Sequence, residues 1–247
     1  MTSNAVKDTP QQLGSSQLTL GVTLNAQQQL SNFCFNGAPA LAQTVDQLLL
    51  NEQADSVYVF GAQGVGKSHL LQGCVLQAQE MGQEAVYISC SELVKIPAFQ
   101  ANECLVGLEK NGLICVDDID CLLADSDWAH AWFHVYNKLM QQGNRLVMSA
   151  VSNPRAIDCP LNDLRSRLQL ANVFQLSALD EVASGQVLQA KAKQKGLQLT
   201  NEQVAYIFSR SPRGLANLLA VLDLLDSASW HEKRRITIPF IKQVMAW

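Results

Sequence analysis

One stretch of the sequence combines glycines, a lysine and a serine in the order that binds a phosphate chain. The segment "YVFGAQGVGKSHLL" spans residues 58–71 and contains the pattern G-x-x-x-x-G-K-[ST]. Glycines let the backbone curl so that successive N–H groups and the next helix N-terminus point at phosphate oxygens. Lys67 would neutralise the β- and γ-phosphates, and Ser68 would bind Mg²⁺. The residues predicted to bind a nucleotide here are Gly61, Gly64, Gly66, Lys67, Ser68 and His69.

Two adjacent acids follow an apolar run later in the chain, in the sequence "LICVDDID". A metal on a nucleotide needs a carboxylate near Ser68, and an acid at the end of a buried strand supplies one. We expect Asp117 to hold Mg²⁺ through water and Asp118 to polarise an attacking water. A helix-capping role for Asp118 is the alternative.

His130 and His134 have the spacing of the zinc ligands in metalloproteases. The segment reads "HAWFH", so Ala131 stands where such a protease carries its catalytic glutamate. We therefore interpret both histidines as part of a helix face and predict no zinc site.

The chain has 247 residues, a net charge of −4 and 7 cysteines. Its length suits one domain with a smaller appendage. The basic residues are mostly dispersed, so we expect no sequence-specific DNA binding. The cysteines are odd in number and form no CxxC pair, which indicates reduced core residues. Without an apolar run of about 18 residues or a signal sequence, we expect a cytoplasmic protein with no membrane insertion.

Composition divides the chain into three parts. Residues 1–29 are rich in polar residues and predict a flexible tail. Residues 30–177 alternate short β-branched runs with longer helical segments, which predicts a three-layer α/β/α domain with a parallel sheet. Residues 178–247 show only helical patterns and predict a small all-helical lid domain. The helices predicted in the first domain span residues 39–50, 67–81, 91–108, 127–142 and 161–169.

These motifs resemble those of the AAA+ family of P-loop proteins, and within it the DnaA-type replication initiators. "FGAQGVGKSHLLQG" is similar to the initiators' phosphate loop, "LICVDDID" to their acidic strand, and "LSNFCFNGAP" to the segment that lies against the adenine. "DLRSRL" and "SPRGLANLLAVLD" continue the match, so the resemblance covers about residues 30–247. It implies ADP or ATP, with Mg²⁺, as cofactors.

The resemblance also assigns two arginines. Arg167 corresponds to the arginine finger, which reaches the nucleotide of a neighbouring subunit and stabilises charge in the transition state. Arg165 is a rival for that role, and a surface arginine is the alternative reading. Arg213 corresponds to the sensor-2 arginine, which contacts the nucleotide of its own chain.

One departure from the initiators concerns hydrolysis. They carry "T-S-D-R" after the fourth strand, whereas this chain has "SAVSN", which places Val151 where the sensor-1 acid stands. Ser149, Ser152 or Asn153 could partly substitute. We therefore expect a weak ATPase activity at most, and a site that holds a nucleotide more than it consumes one.

The tail contains "QLTLGV", which resembles the family's motif for binding the sliding clamp. Gln17, Leu18 and Leu20 would contact the clamp, although Gly21 stands where proline or an aromatic residue is more usual. We expect neither a helix-turn-helix DNA-binding domain nor a helicase-loading domain. This architecture resembles that of regulatory relatives that inactivate the initiator together with the clamp.

The sequence therefore predicts a negative regulator of chromosomal replication initiation. With the DNA-loaded clamp, the β subunit of DNA polymerase III, it would stimulate hydrolysis of ATP bound to the DnaA initiator and associate with the nucleoid. The alternatives are an autonomous ATPase of the helicase-loader type and an adaptor that assists initiator assembly on DNA. The resident nucleotide, and a monomeric or homo-oligomeric state, remain open at this stage.

Overall fold

The computed structural model describes residues 24–25, 28–35, 37–50, 55–212 and 214–247. The N-terminal domain is built around a five-stranded sheet in the order β2-β3-β4-β1-β5, with every neighbouring pair parallel. Helices cover both faces, and a helical domain follows. The predicted fold class is therefore confirmed.

The strands are short, and those at the centre of the sheet are deeply buried. Every residue of β3 and β4 is buried, because helices cover both faces of a parallel sheet. The strand bounds are β1 Ser56–Phe60, β2 Ala85–Ser89, β3 Leu113–Asp117, β4 Arg145–Ala150 and β5 Asn172–Gln175. Since β4 lies between β1 and β3, the segments that follow β1 and β3 meet around the carboxyl end of β4, where ligands of open α/β sheets bind.

Most helices of this α/β base follow the predictions closely, although the short helix Asp120–Leu123 was not predicted. They are α1 Pro39–Leu49, α2 Lys67–Glu80, α3 Cys90–Leu93, α4 Ala101–Cys104, α5 Asp120–Leu123, α6 Ser126–Gln142 and α7 Asn162–Leu168. The single helix predicted over 91–108 is wrong, because α3 and α4 are separate and a 3-10 turn lies at Ala98–Gln100. Pro97 disfavours a helical residue before it, and Gly107 has a φ of +88°.

Side chains alternate across the sheet and form one core on each face. Val57, Val59 and Cys115 pack with α1 and α2 on one face. Tyr58 and Ile114 pack with α6 on the other. This alternation decides which side chains at the strand ends can meet, because residues two apart in a strand share a face.

The lid forms from α8 Glu181–Gln194, α9 Asn201–Arg210, α10 Leu215–Glu232 and α11 Ile238–Met245, and it has a hydrophobic core of its own. Asp180, Thr200 and Thr237 cap the N-termini of α8, α9 and α11 through side-chain oxygens. The predicted boundary at residue 178 falls between β5 and α8. Within the described residues, none of the helices has the length and apolar character needed to cross a membrane.

Candidate functional site

The loop between β1 and α2 has the backbone conformation that its glycines allow. Gly64 and Gly66 have φ values of +80° and +103°, a region that costs other residues about 1–2 kcal/mol. Helix α2 begins at Lys67, directly after Gly66. Its first N–H groups have no partner within the helix, so they are available to an anion at the loop.

Gly61 is required for a different reason, which is close packing. A Cβ atom at this position would lie 2.2 Å from the carbonyl oxygen of Leu176. The N–H of Leu176 donates to the oxygen of Phe60 at 2.7 Å, so the chain after β5 continues along the end of β1. Only glycine fits between these two segments.

Lys67 is buried, with 6% of its surface exposed, and its ammonium group lies inside the loop. Its Nζ donates to the carbonyl oxygens of Gly61 at 2.9 Å and Ala62 at 3.2 Å. No acidic side chain among the described residues forms an ion pair with it. The loop is thus curled around an unneutralised cation, as phosphate binding requires.

Asp117 is 4% exposed and accepts hydrogen bonds from two hydroxyl groups. Tyr87 on β2 donates to its Oδ2 at 2.7 Å, and Ser149 on β4 donates to its Oδ1. Sequence reasoning missed the role of Tyr87. The sheet register contains the signal, because Tyr87 pairs with Cys115 and therefore shares the face of Asp117.

Asp118 lies beside Asp117 with a left-handed backbone, at a φ of +53°. Its N–H donates to Oγ of Ser149 at 2.9 Å. Burial and the charge of Asp117 raise the pKa of the Asp118 carboxyl group, whereas Lys67 opposes this rise. Lys67 of the loop therefore lies near enough to Asp118 for its charge to act on this carboxyl group. The alternative helix-capping role is not seen, because Ile119 is the N-cap of α5 and no side chain caps it.

Val151 follows β4 with 52% of its surface exposed, and only its backbone N–H contacts an acid, Asp120 Oδ2, at 2.9 Å. Of the three polar residues predicted as substitutes, Ser149 is the one that bonds to Asp117 and Asp118. The carbonyl oxygen of Ser152 accepts from the hydroxyl of Tyr58 at 2.9 Å. The amide oxygen of Asn153 accepts from the N–H of Arg155 at 2.9 Å.

A cleft of 630 Å³ separates the phosphate loop from the lid. Loop residues Gln63, Gly64 and Val65 line one side, and Ser184 and Ser211 of the lid line the other. A second cavity of 360 Å³ adjoins it and shares Val65 as a lining residue. Joined cavities of these sizes suit a nucleotide.

The segment before α1 forms a wall of the second cavity. Phe33 and Cys34 line it, and a Cβ atom on Gly66 would lie 3.3 Å from the ring of Phe33. His69 contacts this segment: its ring meets Phe33 edge-on at 5.5 Å, and Nε2 lies 3.1 Å from the carbonyl oxygen of Gln29. Burial lowers the pKa of His69, which favours a neutral ring. His69 lines neither cavity and holds the segment onto α2.

Arg165 and Arg167 lie on α7, and neither lines the two cavities. The guanidinium of Arg167 is 5.0 Å from the centre of the Phe133 ring, and among the described residues it forms no ion pair. Arg165 differs, because its guanidinium donates to Oδ1 of Asn162 at 2.7 Å. The two guanidinium groups therefore have different contacts, an aromatic ring for Arg167 and an amide oxygen for Arg165.

Four predicted site residues lie outside the described residues: Gln17, Leu18, Leu20 and Arg213. In the described part of the chain, no three histidine, cysteine, aspartate or glutamate side chains cluster as a metal site would need. His130 bonds to the carbonyl oxygen of Ser126 instead, at 2.7 Å.

Solved structures share this fold. Domain III of the replication initiation protein DnaA from Thermotoga maritima has a TM-score of 0.77 at 18% identity, over 90% of this chain and 97% of that one. AMPPCP-bound DnaA from Aquifex aeolicus has a TM-score of 0.72 at 21% identity, over 85% of this chain and 68% of that one. The RuvB branch migration motor from Thermotoga maritima has a TM-score of 0.68 at 15% identity, over 89% of this chain and 71% of that one.

Family comparisons cover both domains. Residues 24–175 match the bacterial DnaA ATPase domain, and residues 180–245 match the lid domain of Hda. The first match spans more than half of the chain, which confirms the resemblance based on its motifs. The chain therefore belongs to the DnaA-homologous AAA+ proteins, within which it carries a lid of the Hda type.

Proposed function

We propose that the chain binds ADP or ATP, with Mg²⁺, in the cleft between the phosphate loop and the lid. The curled loop around Lys67 supports phosphate binding. Asp117 and Asp118 fit a cation, because two adjacent acids with little solvent are stabilised by a positive charge. Ser68 would bind the metal directly and Asp117 through water. The metal would neutralise phosphate charge there.

We further propose that the chain is a negative regulator of chromosomal replication initiation that acts on the nucleotide of a partner. The observation that carries this proposal is the position of Arg167, which lies outside its own chain's cleft and forms no ion pair with a described acid. The family match indicates the DnaA initiator as the partner. In this function, Arg167 enters the initiator's site and accelerates hydrolysis of its ATP.

The chain's own hydrolysis would be weak. Val151 places an apolar side chain where initiators carry an acid, and the hydroxyl of Ser149 is already bonded to Asp117. Asp118 remains as the acid that could orient a water. The bound nucleotide would therefore act mainly by setting the lid against the base.

The test mixes the purified chain, the DNA-loaded clamp and the ATP-loaded initiator, and follows hydrolysis. We expect strong acceleration over the initiator alone. Arg167→Ala should remove most of it, since arginine fingers contribute about 10³–10⁵ in rate in related NTPases. Arg165→Ala is the matched control and should retain it. Equal activity of all three proteins would contradict the assignment of Arg167.

Dependence on the clamp tests the tail, which we propose as the tether to the clamp and to the nucleoid. Replacing Gln17, Leu18 and Leu20 by alanine should abolish clamp binding and the acceleration, while ADP binding by the isolated chain stays unchanged. A fully active triple variant would exclude the tail as the tether. Gly21→Pro should instead strengthen clamp binding.

An autonomous ATPase is the second candidate, and the pairing of an intact phosphate loop with Asp117 and Asp118 favours it. An autonomous ATPase would show a rate of ATP turnover per molecule that rises with protein concentration as the chain assembles. Both Lys67→Ala and Arg167→Ala would then abolish turnover. Slow turnover that is independent of concentration would support the regulatory function.

A further inference from the structure

A line of polar side chains crosses the base from the N-terminal segment to Asp117. The backbone N–H of Asn25 donates to Oε1 of Gln72 at 3.1 Å, and the side chain of Gln72 opposes the rise in the pKa of Tyr87 that burial causes. Tyr87 donates to Oδ2 of Asp117 at 2.7 Å. Ser149 completes the line by bonding Oδ1 of Asp117. Tyr87 is thus its central member.

The sheet register explains why these side chains meet. Ser89 of β2 pairs with Asp117, and Tyr87 precedes Ser89 by two residues, so Tyr87 and Asp117 point to the same face. On the other side, Met148 of β4 pairs with Val116, which places Ser149 across from Asp117. A tyrosine is long enough to reach the carboxylate diagonally.

The two hydroxyl donors have a definite effect on Asp117. Each oxygen accepts one hydrogen bond and keeps a lone pair, so the carboxylate cannot rotate without losing a bond. A carboxylate that holds a metal through water must point at the water shell, and its supporting hydrogen bonds determine that orientation. Tyr87 is 7% exposed, so water does not readily replace its hydroxyl group as a donor.

We propose that Tyr87 is a positioning residue that orients Asp117 toward the metal of the bound nucleotide. The inference rests on the proposed nucleotide site. It adds a residue outside the phosphate loop and the acidic pair to the determinants of nucleotide affinity.

The test compares ADP affinity of the isolated full chain in saturating Mg²⁺ and in EDTA. Tyr87→Phe should lower the affinity about tenfold in Mg²⁺. It should leave the affinity in EDTA unchanged. Tyr58→Phe is the matched control, because Tyr58 is fully buried in the same sheet and donates to the carbonyl oxygen of Ser152. It should change neither affinity, and thermal unfolding without nucleotide should show both variants folded.

Two outcomes overturn the inference: Tyr87→Phe loses affinity equally in Mg²⁺ and EDTA, or it loses none. If that variant does not fold, Gln72→Leu provides the same comparison, with an expected loss in Mg²⁺ of about two- to threefold. No Mg²⁺ effect in the parent chain would overturn the metal site as well. Failure to stimulate the initiator leaves these affinities untouched, so the two proposals fail separately.

Discussion

Asp118 combines two unfavourable features at the scale of a single residue. Its φ of +53° lies in the left-handed region, which aspartate and asparagine tolerate better than most residues. Burial and the neighbouring charge of Asp117 both disfavour its ionised form. Without a bound cation, this carboxylate destabilises the fold, which is a cost typical of functional sites.

Replacement of Asp118 by asparagine should therefore stabilise the nucleotide-free protein. Asparagine keeps the left-handed backbone and removes the charge, so we expect the melting temperature at neutral pH to rise by about 1–3 °C. Asp118→Val should lower it, because a β-branched residue is strained at this φ. Thermal unfolding of the three proteins in EDTA checks both directions. A less stable asparagine variant would show that the charge is already compensated.

The phosphate loop could be predicted from the sequence, because its residues are contiguous and their types are restricted by chemistry. Lys67 and Gly66 are recognisable for that reason. The contacts of Tyr87 and Ser149 with Asp117 were harder to predict, because they depend on the register between strands that are distant in sequence. The contact that His69 makes in the structure was also hard to predict, because it joins His69 to Gln29, which is 40 residues away in the sequence.

At the scale of elements, the strands and most helices were predictable because their hydrophobic periods are regular. The structure of the region after β2 was not predicted correctly. A helical pattern over 91–108 conflicts with Pro97 and Gly107, and these local breaks divide it into short turns. The packing of α2 against the segment before α1 was equally hidden, since a glycine within a helix gives no sign of what approaches it.

Gly73 on α2 is the point of closest approach between those elements. A Cβ atom there would lie 2.9 Å from the backbone N of Leu30, 3.0 Å from its Cα and 3.1 Å from the oxygen of Gln28. All three are backbone atoms, so the segment could not move aside by a side-chain rotation. The glycine thus fixes the position of the segment that walls the second cavity.

Gly73→Ala should displace the N-terminal segment while preserving the base. Alanine favours the helix by about 1 kcal/mol over glycine, so α2 itself should remain intact. We expect faster amide hydrogen exchange at residues 28–33 and weaker ADP binding, with little change in the melting temperature. Gly82→Ala is a control for exchange at residues 28–33, since a Cβ atom there meets nothing within 4 Å and the residue follows α2. Its φ of +76° should cost about 1–2 kcal/mol of stability without displacing the N-terminal segment. Unchanged exchange at residues 28–33 would contradict this account.

At the scale of the whole molecule, base and lid have separate hydrophobic cores and a cleft between them. One direct contact between base and lid is the bond from Nε2 of Gln194 on α8 to Oδ1 of Asn32, at 2.5 Å. A ligand that touches the loop and the lid would therefore add a large share of the free energy that holds the two domains together.

A nucleotide in the cleft should consequently stabilise the whole chain. At an ADP concentration of about 100 times its Kd, binding contributes about 2.7 kcal/mol, which raises the melting temperature of a protein of this size by about 5–10 °C. Lys67→Ala should abolish this rise, because the ammonium group inside the loop is the charge that the phosphates meet. Lys138→Ala removes an exposed lysine that pairs with Glu109 and should preserve it. Differential scanning calorimetry with and without ADP measures the shift for each variant against its own nucleotide-free value. A full shift in Lys67→Ala would mean that ADP binds elsewhere than at the loop.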